Sequence, residues 1–209
     1  MLFKTYTGFG MRSSTLRWIV LAGSLVIALI NAIQLYWLNH IYKLEQKQFG
    51  TNIVKCVRGL FEDMRLSDNP AGHLRQQITV QPDASTFIVR TDNLPPRDSL
   101  IYYLTQELTD FNILTACKTA VYDKESKQYI YQQYIPSPET YRASAISDLA
   151  LYPADYHYIL LHFPERSRYI LGQMNFWITG SIVLMLVLIG LALSMFYFYK
   201  QKFLVEVQK

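Results

Sequence analysis

WIVLAGSLVIALINAIQLYWL (Trp18–Leu38) and FWITGSIVLMLVLIGLALSMF (Phe176–Phe196) decide how this chain is read. Each holds 21 residues without one Asp, Glu, Lys or Arg. A hydrocarbon core about 30 Å thick is crossed by roughly 20 apolar residues of helix. Both stretches are apolar all round, whereas a helix lying on a soluble core shows one apolar stripe. The pattern predicts two transmembrane helices bracketing a polar middle segment. Bulk composition hides this: 51% apolar, 17% charged and a mean hydropathy of +0.08 average two greasy spans with an ordinary soluble segment.

Working outward, the flanks set the orientation. Residues 1–17 carry Lys4, Arg12 and Arg17 and no acid; residues 200–209 carry Lys200, Lys202 and Lys209 against Glu206. Residues 43–168 hold 14 basic and 15 acidic groups. Basic residues beside a span stay on the cytoplasmic side. Both termini are therefore expected in the cytoplasm and the middle outside it. The net charge of +4 is then mostly flank charge and implies no nucleic acid. The first span reads as an uncleaved anchor, because it exceeds a signal-peptide core and ends in bulky Leu35-Tyr36-Trp37-Leu38. Trp18, Tyr36, Trp37, Trp177, Tyr197 and Tyr199 suit interfacial belts. The expected layout is a cytoplasmic N-terminus (1–17), a first span (18–38), an extracytoplasmic domain (39–170), a second span (171–198) and a cytoplasmic helix start (199–209).

The middle segment opens with a helix that does not break at the membrane. Tyr42, Phe49, Ile53, Val57, Leu60 and Met64 recur at mostly three- to four-residue steps, predicting a one-sided helix over 39–65 that Ser67-Asp68-Asn69-Pro70 ends. Strands are expected at 76–80, 86–90, 117–122, 128–134 and 156–163. A helix capped by Asp98 or Ser99 is expected over 100–111, and residues 135–152 read as irregular. The fold class is α+β: a small, mostly antiparallel sheet, a long membrane-proximal helix and two flanking transmembrane helices.

No G-x-S-x-G, H-E-x-x-H, Walker loop or G-x-G-x-x-G occurs. His40, His73, His157 and His162 lack metal-ligand spacing, and the carboxylates read as solvated surface. No catalytic, cofactor-binding or metal residue is assigned. Cys56 and Cys117 fall in the extracytoplasmic segment, either as a disulfide or as two buried thiols. Tyr129, Tyr131, Tyr156 and Tyr158, with Tyr134, either line a ligand pocket on the sheet or are half-buried sheet residues. Ser24, Ala28 and Ala32, and Gly190 and Ser194, repeat at four-residue steps, the spacing that lets membrane helices approach closely; Asn31 and Gln34 can hydrogen-bond across such an interface. The tail from Tyr199 to Lys209 contains no breaker and reads as an interrupted helix.

Four features then combine: the basic N-terminus, Gln34-Leu35-Tyr36-Trp37-Leu38 closing the first span, Glu45-Gln46-Lys47-Gln48-Phe49 on the following helix, and Val121-Tyr122-Asp123-Lys124-Glu125 in the hairpin. With Phe163-Pro164-Glu165-Arg166-Ser167-Arg168-Tyr169-Ile170-Leu171 before the second span and the exit from Tyr197, the whole chain resembles the N-terminal sensor portion of bacterial two-component sensor histidine kinases, in particular those of Bacteroidota. The order and spacing of these features carry the resemblance. It implies an inner-membrane homodimer whose periplasmic, PAS-like domain meets an unknown ligand or protein. It further implies a phosphorelay to a cytoplasmic response regulator through a kinase core using ATP and Mg. That core is absent from these 209 residues: there is no cytoplasmic His followed by Glu and Pro, no ATP-site Asn and no glycine lid. The rival reading is a membrane-anchored periplasmic adaptor or scaffold without a signalling role.

Overall fold

The computed structural model describes residues 13–66, 78–137 and 149–207. The expected helix stop at Ser67–Pro70, His73, the first two residues of the strand expected at 76–80 and most of the irregular stretch lie outside them, as do 1–12 and the final two residues. The chain divides into two compact units, Tyr42–Gln173 and Met1–Ile41 with Met174–Lys209. One element, α1 (Ser13–Met64), contributes to both; it runs 52 residues and stops where Arg65 turns left-handed at φ 50°.

In the unit Tyr42–Gln173, five antiparallel strands form one sheet: β1 (Ile78–Asp83), β2 (Thr86–Arg90), β3 (Cys117–Asp123), β4 (Gln128–Ile135) and β5 (Tyr158–His162). Their order is β1-β2-β5-β3-β4, so the last strand sits at the centre between two hairpins. The expected α+β class with a small antiparallel sheet is therefore what the chain adopts. β1 extends further than its sequence suggests, through Pro82 to Asp83. It is an edge strand with two register shifts, where a missing proline N–H leaves no ladder bond unmade. Asp83 closes the turn by accepting from Ser85 N–H at 2.6 Å and from Thr86 Oγ1 at 2.8 Å.

Period-two burial divides the sheet into two faces. Phe87, Val89, Cys117, Val121, Ile159 and Leu161 share one face with Thr119. Phe49, Ile53, Cys56, Val57 and Leu60 of α1 are buried, and Phe49 and Phe87 both meet Phe163 edge-on. The helix α2 (Arg97–Asp110) buries Leu100, Leu104 and Leu108. It starts after Pro96 with no side-chain cap, so neither Asp98 nor Ser99 caps it; proline's fixed φ brings the chain straight into the first turn. Ile88, Ala120, Tyr122, Tyr158 and Leu160 form the opposite face, covered by Leu149, Tyr152, Ala154 and Tyr156.

The apolar run after Phe163 is two helices. α3 (Arg166–Gln173) ends at Met174, and α4 (Asn175–Val207) follows. Two helices are long and apolar enough to span a membrane: α1, and α4 from Asn175 to Phe198. Almost none of their most apolar windows is buried, unlike the core helix of a soluble protein. The second apolar helix begins at Asn175, four residues after position 171.

Candidate functional site

The aromatic residues expected to line a pocket are split by a β-bulge. β3 and β4 pair Val121 with Tyr131 and Tyr122 with Tyr129, leaving Ile130 extra. Directly paired residues share a face, and Val121 and Tyr122 point to opposite faces. Tyr129 therefore joins Tyr122, while Tyr131 lies on the α2 side, where its hydroxyl donates to the Pro95 carbonyl at 2.8 Å. Burial pushes the Tyr131 phenol up to about 12, against the pull of Arg97. Strict alternation in the sequence places Tyr129 and Tyr131 together; one inserted residue separates them.

Tyr129, Tyr156 and Tyr158 do come together. The Tyr122 ring stacks on Tyr158 at 4.5 Å, and Tyr129 and Tyr156 meet Tyr158 edge-on at 6.3 Å. The chain segment 149–156 packs over them. Tyr129 Oη donates to Ala150 O at 2.7 Å, Tyr158 Oη to Tyr152 O at 2.8 Å, and Arg90 lies 5.4 Å over the Tyr156 ring. Burial raises the Tyr158 and Tyr129 phenols, so they stay neutral hydrogen-bond donors. This layer is packed sheet surface, one of the two readings its sequence allows.

An open cleft of about 500 Å³ lies elsewhere in the same unit, beside α3. Thr115 and Ser137 line it from the sheet end; Glu165, Arg168, Tyr169 and Gln173 line it from α3 and its approach. Ser137 Oγ donates to Leu114 O at 2.8 Å and Tyr169 Oη to Asn112 O at 2.6 Å, fixing two walls. A Cβ added to Gly172 would meet nothing within 4 Å, so this wall is recessed. α3 is anchored by Arg166, which is buried, donates to the Ala84 carbonyl and lies 5.2 Å over the Phe49 ring. Burial lowers its guanidinium pKa. Sequence reading missed the cleft because its lining comes from three separated stretches; Glu165 and Arg168 before an apolar span were the visible signal.

Other candidates are structural. Cys56 and Cys117 are free, buried thiols, both raised by desolvation, so neither forms a reactive thiolate. His157 Nδ1 lies 3.2 Å from Asp123 Oδ1, His162 Nδ1 lies 2.8 Å from Thr86 Oγ1, and His40 lies beside the Tyr36 and Trp37 rings. Among the described residues no cluster of His, Cys, Asp or Glu is placed to hold a metal ion. Between the two apolar helices, a Cβ on Gly23 would lie 3.3 Å from Met195 Sδ, and Gln34 Nε2 reaches Ser181 O at 3.5 Å. Asn31 instead bonds its own helix at Ile27 O. Ser24, Ala28, Ala32, Gly190 and Ser194 are exposed, so the small-residue rows are not the contact between the two helices.

Compared with known proteins, the chain matches no family model, no curated protein and no solved structure.

Proposed function

We propose that this chain is the sensory and signal-transmitting module of a two-component sensor histidine kinase. It sits as a homodimer in a bacterial inner membrane, with both termini cytoplasmic and residues 42–173 in the periplasm. The carrying observation is α1, one 52-residue helix that is apolar and exposed in its first half and a core element of the sheet domain in its last turns. A helix shared in this way couples any rearrangement of the domain core to a membrane-spanning element. At the other end of the domain, buried Arg166 ties α3 to the β1–β2 turn and to α1, and α3 stops two residues before α4 begins. The antiparallel sheet with helices against one face supports the PAS-like part of the reading. The exposed small-residue rows at Ser24, Ala28, Ala32, Gly190 and Ser194 are available to a second copy in the membrane. Output passes to a response regulator through an ATP- and Mg-dependent kinase core outside these residues.

A ligand drives such a device only by binding its two states unequally. The test joins the chain, in frame after Lys209, to an intact histidine kinase core and measures autophosphorylation in membrane vesicles. Core substitutions that loosen Arg166 or the α1 packing are expected to shift phosphorylation several-fold. Phosphorylation indifferent to every domain substitution would favour the adaptor reading instead.

A further inference from the structure

The geometry points to a small zwitterion, one carrying an ammonium and an anionic group a few ångströms apart, as the ligand of the cleft beside α3. Four observations carry this. The cleft is about 500 Å³, within the range of small-molecule sites and far beyond a single water. Its lining is mostly polar: Thr115 and Gln173 border it together with Ser137 and Tyr169, whose hydroxyls are held on the Leu114 and Asn112 carbonyls. It presents one cation and one anion, Arg168 and Glu165, and among the described residues neither forms an ion pair. Glu165 immediately precedes α3 and Arg168 lies in its first turn, so the two charges stand three residues apart along the chain.

Charge decides the ligand class. An anion alone gains from Arg168 and is opposed by Glu165; a cation alone meets the reverse. A molecule holding both charges satisfies both side chains at once, with the guanidinium fork receiving the carboxylate or phosphate. Free α-amino acids and the ethanolamine phosphate headgroup of lipids share this chemistry. The assignment deepens the sensor reading and rests on it only for its consequence, since binding is a property of the cleft alone.

The experiment uses the full chain in detergent micelles and isothermal calorimetry. The probes are the twenty protein amino acids, each tested singly, and water-soluble glycerophosphoethanolamine. Acetate and ethylamine serve as single-charge controls. Saturable binding of at least one zwitterion is expected, at least tenfold tighter than either control. Amino acids alone binding identifies a free solute; glycerophosphoethanolamine binding more tightly identifies a headgroup. Arg168→Gln and Glu165→Gln, both at the cleft rim, are each expected to weaken binding at least tenfold. Gly172→Leu is expected to abolish binding, because its side chain projects into the open wall while helix propensity improves. Thermal melting checks that each variant is folded. Absence of saturable zwitterion binding to the folded wild type, or binding unchanged in all three folded variants, overturns the proposal. A zwitterion that binds without altering a kinase fusion leaves the ligand class standing and sinks the sensor reading. A fusion that responds to domain substitutions while nothing binds does the opposite.

Discussion

Glu107 is the residue whose surroundings reach furthest. It is only 8% exposed, and its carboxyl packs directly where a Cβ on Gly59 of α1 would sit. Burial raises its pKa, and Asp63, Asp110 and Glu62 raise it further. A raised folded value means the protonated form is the one the fold favours. Its stabilisation is complete below the unfolded carboxyl pKa of about 4.3 and is lost as pH rises through the folded value. Glu107→Gln should therefore flatten the fall in stability above that pKa, as read by urea unfolding across pH 4–8. In the wild type Gly59→Ala should gain less than helix propensity alone would give, because the flexible Glu107 side chain must first swing its carboxyl aside. In a Glu107→Ala background it should instead stabilise by up to about 1 kcal/mol, since only helix propensity remains; equal effects in both backgrounds would refute the contact. Thr119 offers the converse case, a buried hydroxyl with no hydrogen-bond partner among the described residues. Thr119→Val is expected to raise the unfolding free energy by about 1 kcal/mol. Neither Glu107 nor Thr119 is conspicuous in the sequence: a carboxylate on a helix and a β-branched residue on a strand read as ordinary until burial is known.

Elements add what residues lack, a shared register. Arg166 holds α3 through the Ala84 carbonyl and the Phe49 ring, while its Nε has no hydrogen-bond partner among the described residues. Arg166→Met keeps much of the volume but removes the bond and the cation–π contact; a loss of about 1–3 kcal/mol is expected by chemical unfolding. Between the two apolar helices, Gly23 faces Met195 while Ala28 is exposed. Gly23→Leu should lower cross-linking between cysteines placed at Ile27 and Ala192, and Ala28→Leu should leave it unchanged. The strands, their order of appearance and α2 are legible from alternation and turn residues, because those signals are local. The β4 bulge, α3 and the uncapped start of α2 are not. A bulge depends on which residue the partner strand presents. α3 is anchored through Arg166, whose acceptor Ala84 lies some eighty residues upstream in sequence.

At the scale of the whole molecule, two apolar helices and one sheet domain predict a protein that resists extraction by carbonate and dissolves only in detergent. Cys56 and Cys117 provide a second reading of the same architecture. Both thiols are buried and held protonated by desolvation, so a maleimide should label neither in the folded protein and both after denaturation. Labelling before unfolding would contradict the helix-on-sheet core that covers them. By itself the sequence determined the two long apolar stretches, the α+β class, the long helix that continues out of the first stretch and the lack of any familiar catalytic motif. These depend on hydrophobic length, periodicity and spacing, which are properties of consecutive residues. Only the tertiary structure decided the sheet order, the free state of the two thiols, the packed rather than open tyrosine layer and the charged cleft beside α3. Each of those brings together side chains far apart along the chain, and which distant groups meet follows from packing the whole domain at once.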